Sequence, residues 1–184
     1  MEQADPAFSG RRRRPVLTLD ELLALDEHLD PDSFRVVPGT PGDIPAIVIL
    51  LNTRRMPIPL PLKFARTEEL LARTWPRVRW LLARQGTALL GCLELRPVER
   101  EAGVWELGSF SQARDNRNPC VPVKLWTSGF RMLVELGARE AVVEIHRVNT
   151  AMWRFLAHLP FEPEGECAEH PEFIRARMKL QRTP

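Results

Sequence analysis

The stretch AVVEIHRVNTAMWRFLAHLPFEPEG, residues 141–165, decides how the remainder of the chain is read. It opens on the apolar run AVVEI, short and β-branched, which is expected to be a strand buried on both faces. Asn149 then stands where a helix N-cap belongs. Val148, Met152, Phe155, Leu156 and Leu159 recur at a spacing that gives the following helix one inner side. Leu159, Pro160 and Phe161 close it, and the chain turns into a second strand.

Upstream, Leu125, Gly129, Met132, Leu133 and Leu136 repeat at helical spacing, with Gly137 as a C-terminal stop. Before that helix lies the polar loop ARDNRNPC. VRWLLAR and TALLGCLELRPV, joined by QG, read as a hairpin, and GVWELGSFSQ adds a third strand to make a meander. Further upstream, TLDELLALDEHLD is a helix with a Thr18–Glu21 capping box and an apolar side of Leu19, Leu22, Leu23 and Leu29. FRVVP is a short strand. Thr40 and Pro41 start a helix whose Ile44, Ile47, Val48 and Leu51 share a face. MPIPLPLKF holds too many prolines for regular structure, and TEELLARTW gives a further helix closed by Pro76. At the other end, EFIRARMKL alternates as a last strand. This order predicts a mixed sheet with helices on both faces, of class α/β or α+β, around one core.

Composition narrows the function classes. The 184 residues are 44% apolar with a net charge of +2, and no run approaches the roughly 20 apolar residues of a membrane span. The expectation is a cytoplasmic protein without a membrane partner. The three cysteines, Cys92, Cys120 and Cys167, lack metal-type spacing, so reduced thiols and no metal site are expected. Charge balance argues against nucleic acid as the main partner. The run Arg11–Arg14 has two readings, a phosphate contact or a solvated tail without the aromatics that stacking needs.

From Arg117 to Phe161 the chain resembles the GNAT acyl-coenzyme A N-acyltransferase superfamily. Arg117 stands at the first position of that family's loop pattern Q/R-x-x-G-x-G/A. Leu125, Gly137, Asn149, Leu159 and Phe161 fall at its helix leucine, helix-ending glycine, asparagine and closing Leu and Phe. The resemblance implies a mostly antiparallel central sheet with helices on both faces and a domain over residues 34–182, and sequence pattern places an N-terminal helix (17–33) and a disordered basic tail (1–16) before it. It also implies acetyl-CoA or another acyl-CoA as co-substrate, held beside Phe110, Ser111, Gln112, Arg117, Cys120, Val121, Pro122, Lys124, Asn149 and Phe155, with Arg114 adding charge. The arm would lie along WELGSF, and the diphosphate would meet the N–H groups of a helix N-terminus. Glu106 would be the general base that takes a proton from an amine acceptor, and His146 a further acid or base. For Asn149 a plain N-cap is the competing reading, for Glu106 a solvated or Arg-paired carboxylate, and for His146 a structural residue.

The departures from the family are specific. Cys120 and Pro122 replace both loop glycines, and Pro122 lacks an N–H to give a phosphate. Leu156, beside Phe155, stands where the family often has a Tyr acid, and this chain contains no Tyr. Two readings follow: an N-acyltransferase of unidentified acceptor approached from the side of residues 56–62, or a noncatalytic protein that keeps the fold for binding. WELGSFSQ also loosely resembles the central strand of the acyl-homoserine lactone synthases, without their Arg, which would lengthen the acyl group. Cys120 as a nucleophile, and a homodimer anchored by Trp126 or Trp153, are the remaining alternatives.

Overall fold

The structure, a computed structural model, describes residues 16–29, 33–53 and 66–180. The Arg11–Arg14 run, the expected tail before residue 16 and the proline-rich 56–62 lie outside the described residues. The expected meander is present as β2 (Arg79–Gln85), β3 (Ala88–Pro97) and β4 (Val104–Gln112). Its first turn places Gly86 at φ 57°, a conformation glycine adopts without steric cost. With β1 (Arg35–Pro38), β5 (Glu140–His146), β6 (Glu162–Cys167) and β7 (His170–Lys179), the described strands form one sheet of order β1-β2-β3-β4-β5-β7-β6. Every neighbouring pair is antiparallel except β4 and β5, which are joined through a helix, as a parallel pair requires.

Helices cover both faces. On one side lie α1 (Leu19–His28), α4 (Cys120–Glu135) and α5 (Thr150–Leu156), whose Leu22, Leu125, Phe130, Leu133 and Leu156 pack on Leu93, Leu95 and Leu107. Each such side chain, fully buried, contributes about 1.5–3 kcal/mol. Gly129 lets α4 sit close to the sheet, since a Cβ there would lie 2.9 Å from Leu93 Cδ2. The other face carries α2 (Ile44–Thr53) and α3 (Glu68–Thr74), with Ile47, Leu51 and Leu71 on Trp80, Leu82 and Cys92.

The Thr18–Glu21 capping box is realised: Glu21 N–H donates to Thr18 Oγ1 at 3.2 Å and Thr18 N–H to Glu21 Oε2 at 2.7 Å. The helix expected from Pro41 differs. Pro41–Asp43 is a 3-10 turn and α2 begins at Ile44, because the Asp43 carboxylate accepts from both Thr40 N–H (2.7 Å) and Thr40 Oγ1 (2.9 Å) and tightens the entry. Among the described residues no helix is long and apolar enough to cross a membrane. None of them gather as three or more metal-ligating side chains, and none of the three cysteines forms a disulfide.

Candidate active site

β4 and β5 pair only at Val104↔Glu140, Trp105↔Ala141 and Glu106↔Val142. Beyond those residues β4 runs to Gln112 and β5 to His146 without pairing to each other, so the two strands splay apart. A cleft of about 470 Å³ lies at the mouth of this opening. Of the residues expected at a cofactor, Phe110, Ser111, Gln112, Arg117, Pro122, Asn149 and Phe155 line it, together with Arg114. Asn149 also caps α5, its Oδ1 accepting from Met152 N–H at 3.2 Å, so it serves as N-cap and cleft wall at once. The Ser111 hydroxyl is spent on Leu50 O at 3.5 Å, and Gln112 Nε2 on the carbonyls of Asn116 and Asn118.

Three expected residues are placed elsewhere. Val121, in the first turn of α4, is fully buried in the core. Lys124 turns away toward α1, where its Nζ lies 3.1 Å from Asp26 Oδ1. Cys120 is half-buried at the start of α4, and its N–H already donates to Asn118 Oδ1 at 2.9 Å. Asn118 N–H in turn donates to Asn116 Oδ1, and Val121 N–H to Asn118 O. With Pro119 and Pro122 lacking N–H groups, the amides of Asn118, Cys120 and Val121 are taken up within the loop by the Asn116 and Asn118 side chains and the Asn118 carbonyl. The reason is local. Asn side chains two residues before a helix turn mimic a backbone turn and compete for those amides. Trp126 is also corrected as a dimer anchor, because it is 2% exposed and its ring packs on Phe110, Phe130 and Phe155. Trp153 is half-buried against the same core.

Glu106 sits at the last paired position before the splay. Its two oxygens accept from Arg96 on β3, Nε to Oε2 at 2.9 Å and Nη2 to Oε1 at 2.9 Å. Burial pushes the Glu106 carboxyl above its ordinary value; Arg96 counters this, while Glu144 and Glu94 add to the rise. His146, at the end of β5, packs edge-on against Phe173, and its Nδ1 accepts Val148 N–H at 3.3 Å, an arrangement that shapes the turn leading to Asn149.

A second acidic group was not anticipated. Glu94, on β3, is buried, and Ser109 Oγ donates to its Oε2 at 2.5 Å. Arg66 Nη2 donates to Ser109 Oγ at 3.2 Å and lies 4.0 Å from Glu94 Oε2. Ser109 belongs to a bulge, where two residues of β4 oppose Leu93 alone, and it holds φ at 46°. The sequence signal for Glu94 was a carboxylate centred in the strand LEL; the bulge that brings Ser109 to it left no signal. On the same side, burial and the Glu144 charge push the Cys167 thiol up to about 11, so it stays protonated at neutral pH.

No family model matches the chain, and no curated protein sequence matches it. Solved structures do. A GNAT-family structure from Desulfovibrio desulfuricans superposes with a TM-score of 0.67 at 14% identity, over 80% of this chain and 99% of that one. The PaiA N-acetyltransferase of Thermoplasma acidophilum, solved in complex with coenzyme A, gives 0.67 at 15% identity over 80% and 99%. YncA of Salmonella typhimurium, solved with acetyl-CoA as its cofactor, gives 0.67 at 13% over 83% and 96%. The splayed parallel pair, the strand order around it and these superpositions agree: the chain has the fold of the GNAT acetyltransferases.

Proposed function

We propose that this chain binds an acyl-CoA in the opening between β4 and β5 and transfers the acyl group to an amine. The observation that carries the reading is the early end of the β4–β5 pairing beside a cleft walled by Phe110, Pro122, Met152 and Phe155. A pantetheine arm suits such walls, and the strand edges freed by the splay offer main-chain groups to its amides. Arg114 and Arg117 at the cleft mouth replace the occupied loop amides as contacts for the diphosphate. Two structural neighbours are solved with coenzyme A or acetyl-CoA. The base comes from the carboxylates of the sheet face opposite α4, Glu106 or Glu94. Phe155 faces the cleft where a proton donor would serve the leaving thiolate, and it has none to give.

A second reading, a noncatalytic binding protein, is favoured by one observation: Asn118 and Asn116 occupy the amides that a diphosphate would need. Titration calorimetry with acetyl-CoA separates the two. The transferase reading predicts one-to-one binding and, at 100 times the Kd, about 2.7 kcal/mol of added stability in thermal unfolding. No heat and no stabilisation at millimolar acetyl-CoA contradict it and leave the binding protein.

A further inference from the structure

Resting on the transferase reading, we infer that Ser109 and Glu94 are the proton-transfer pair of this site, with Arg66 holding the serine in place. Four observations converge. First, Glu106 is poorly placed for the task, since the Arg96 guanidinium occupies both of its oxygens. Second, Glu94 is buried and accepts a 2.5 Å hydrogen bond from a hydroxyl, which is the geometry of a base activating an O–H group. Third, the hydroxyl belongs to Ser109, which lies on β4 beyond the last residue paired with β5 and directly before Phe110 of the cleft wall. Fourth, Ser109 occupies the left-handed region at φ 46°. A non-glycine residue there costs on the order of 1 kcal/mol or more and persists only where its surroundings impose it.

The bulge is what imposes it. The extra residue in β4 turns Ser109 toward β3, where Glu94 stands, while Phe110 turns to the aromatic wall of the cleft. Arg66 is fixed independently. Its N–H donates to Asn52 Oδ1 at 3.2 Å and its carbonyl accepts from Asn52 Nδ2 at 2.8 Å, so the end of α2 anchors the guanidinium over Ser109. Ser109 Oγ thus donates to Glu94 and accepts from Arg66, which leaves one lone pair free for an incoming N–H.

The step balances without a further reactant. As the amine nitrogen adds to the thioester carbon, its N–H proton passes to Ser109 Oγ and the serine proton passes to Glu94 Oε2. The C–S bond then breaks with its electron pair on sulfur, and the proton returns from Glu94 through Ser109 to the thiolate. One pair therefore serves as base and then as acid, which fits a chain without tyrosine. The charged groups around Glu94 are Arg66 on the segment before α3, Arg96 on β3, and Glu106 on β4.

The test measures thiol release from acetyl-CoA with tyramine, lysine methyl ester, alaninamide and putrescine, for the wild type, Glu94→Gln, Ser109→Gly and Glu106→Gln. Glycine suits the positive φ, so Ser109→Gly removes the hydroxyl without adding strain. With an amine that the wild type uses, Glu94→Gln and Ser109→Gly are expected to lower kcat by about 10²–10³-fold with unchanged acetyl-CoA affinity. Turnover within threefold of wild type in either variant overturns the assignment, as does a larger loss of kcat in Glu106→Gln than in Glu94→Gln. A wild type that binds no acetyl-CoA or releases no thiol with any of these amines overturns the transferase reading itself, and the pair with it.

Discussion

At the scale of single residues, Asn118 separates this site from the family pattern it resembles. In that pattern glycines leave helix-start amides open, whereas here Asn118 Oδ1 takes Cys120 N–H, and Cys120 and Pro122 carry side chains where hydrogens are expected. The replacement was visible in RNPCVP, but its consequence was not, because a sequence does not show which way an asparagine turns. Asn118→Ala removes the hydrogen bond to Cys120 N–H and is expected to lower stability by about 1 kcal/mol, a fall of about 2–4 °C in Tm for a chain of this size. Differential scanning calorimetry reads this directly, and an unchanged Tm contradicts a structural role for that hydrogen bond. Glu106 and Glu94 give the same lesson about legibility. Both stand in strands that sequence periodicity places correctly, yet only cross-strand neighbours distinguish an Arg-clamped carboxylate from one that holds a serine.

At the scale of elements, α1 is fastened to α4 by one buried carboxylate. Asp26 accepts from Thr127 Oγ1 and Ser128 Oγ at 2.9 Å each and from Arg131 Nε at 2.7 Å. Burial pushes the Asp26 carboxyl up, but the hydrogen bonds from Arg131, Ser128, Lys124 and Thr127 outweigh it and hold it below its ordinary value. A depressed carboxylate stabilises the fold above its unfolded pKa of about 3.9, and that contribution is lost as pH falls through the lower folded value. Asp26→Asn is expected to cost about 1–2 kcal/mol at pH 7, since it removes the charge facing Lys124 and Arg131 while Arg131 keeps Glu27 and the Leu23 carbonyl. The gap to wild type should narrow as pH drops below about 4. Urea unfolding at pH 7 and pH 3 checks this, and an equal gap at both contradicts it. Most elements were legible beforehand because α1, α4, the meander and β5 carry strong apolar periods. Lys124 meets Asp26 rather than the cleft, a partner 98 residues away in sequence, and no local pattern reports such a separation.

At the scale of the whole molecule, the site is a property of the sheet. A parallel pair inserted into an otherwise antiparallel sheet ends after Glu106 and Val142, and β7 holds β5 through its full length to His146 while β3 holds β4 on the other side. Each strand of the opening is therefore supported on its outer edge, which keeps the slot open without a ligand. Hydrogen exchange followed by NMR with and without acetyl-CoA tests this claim most directly. Amides facing the slot in residues 107–112 and 143–146 should gain protection while those of β1 and β6 do not change. Protection confined to other surfaces, or none at saturating acetyl-CoA, would contradict binding between β4 and β5.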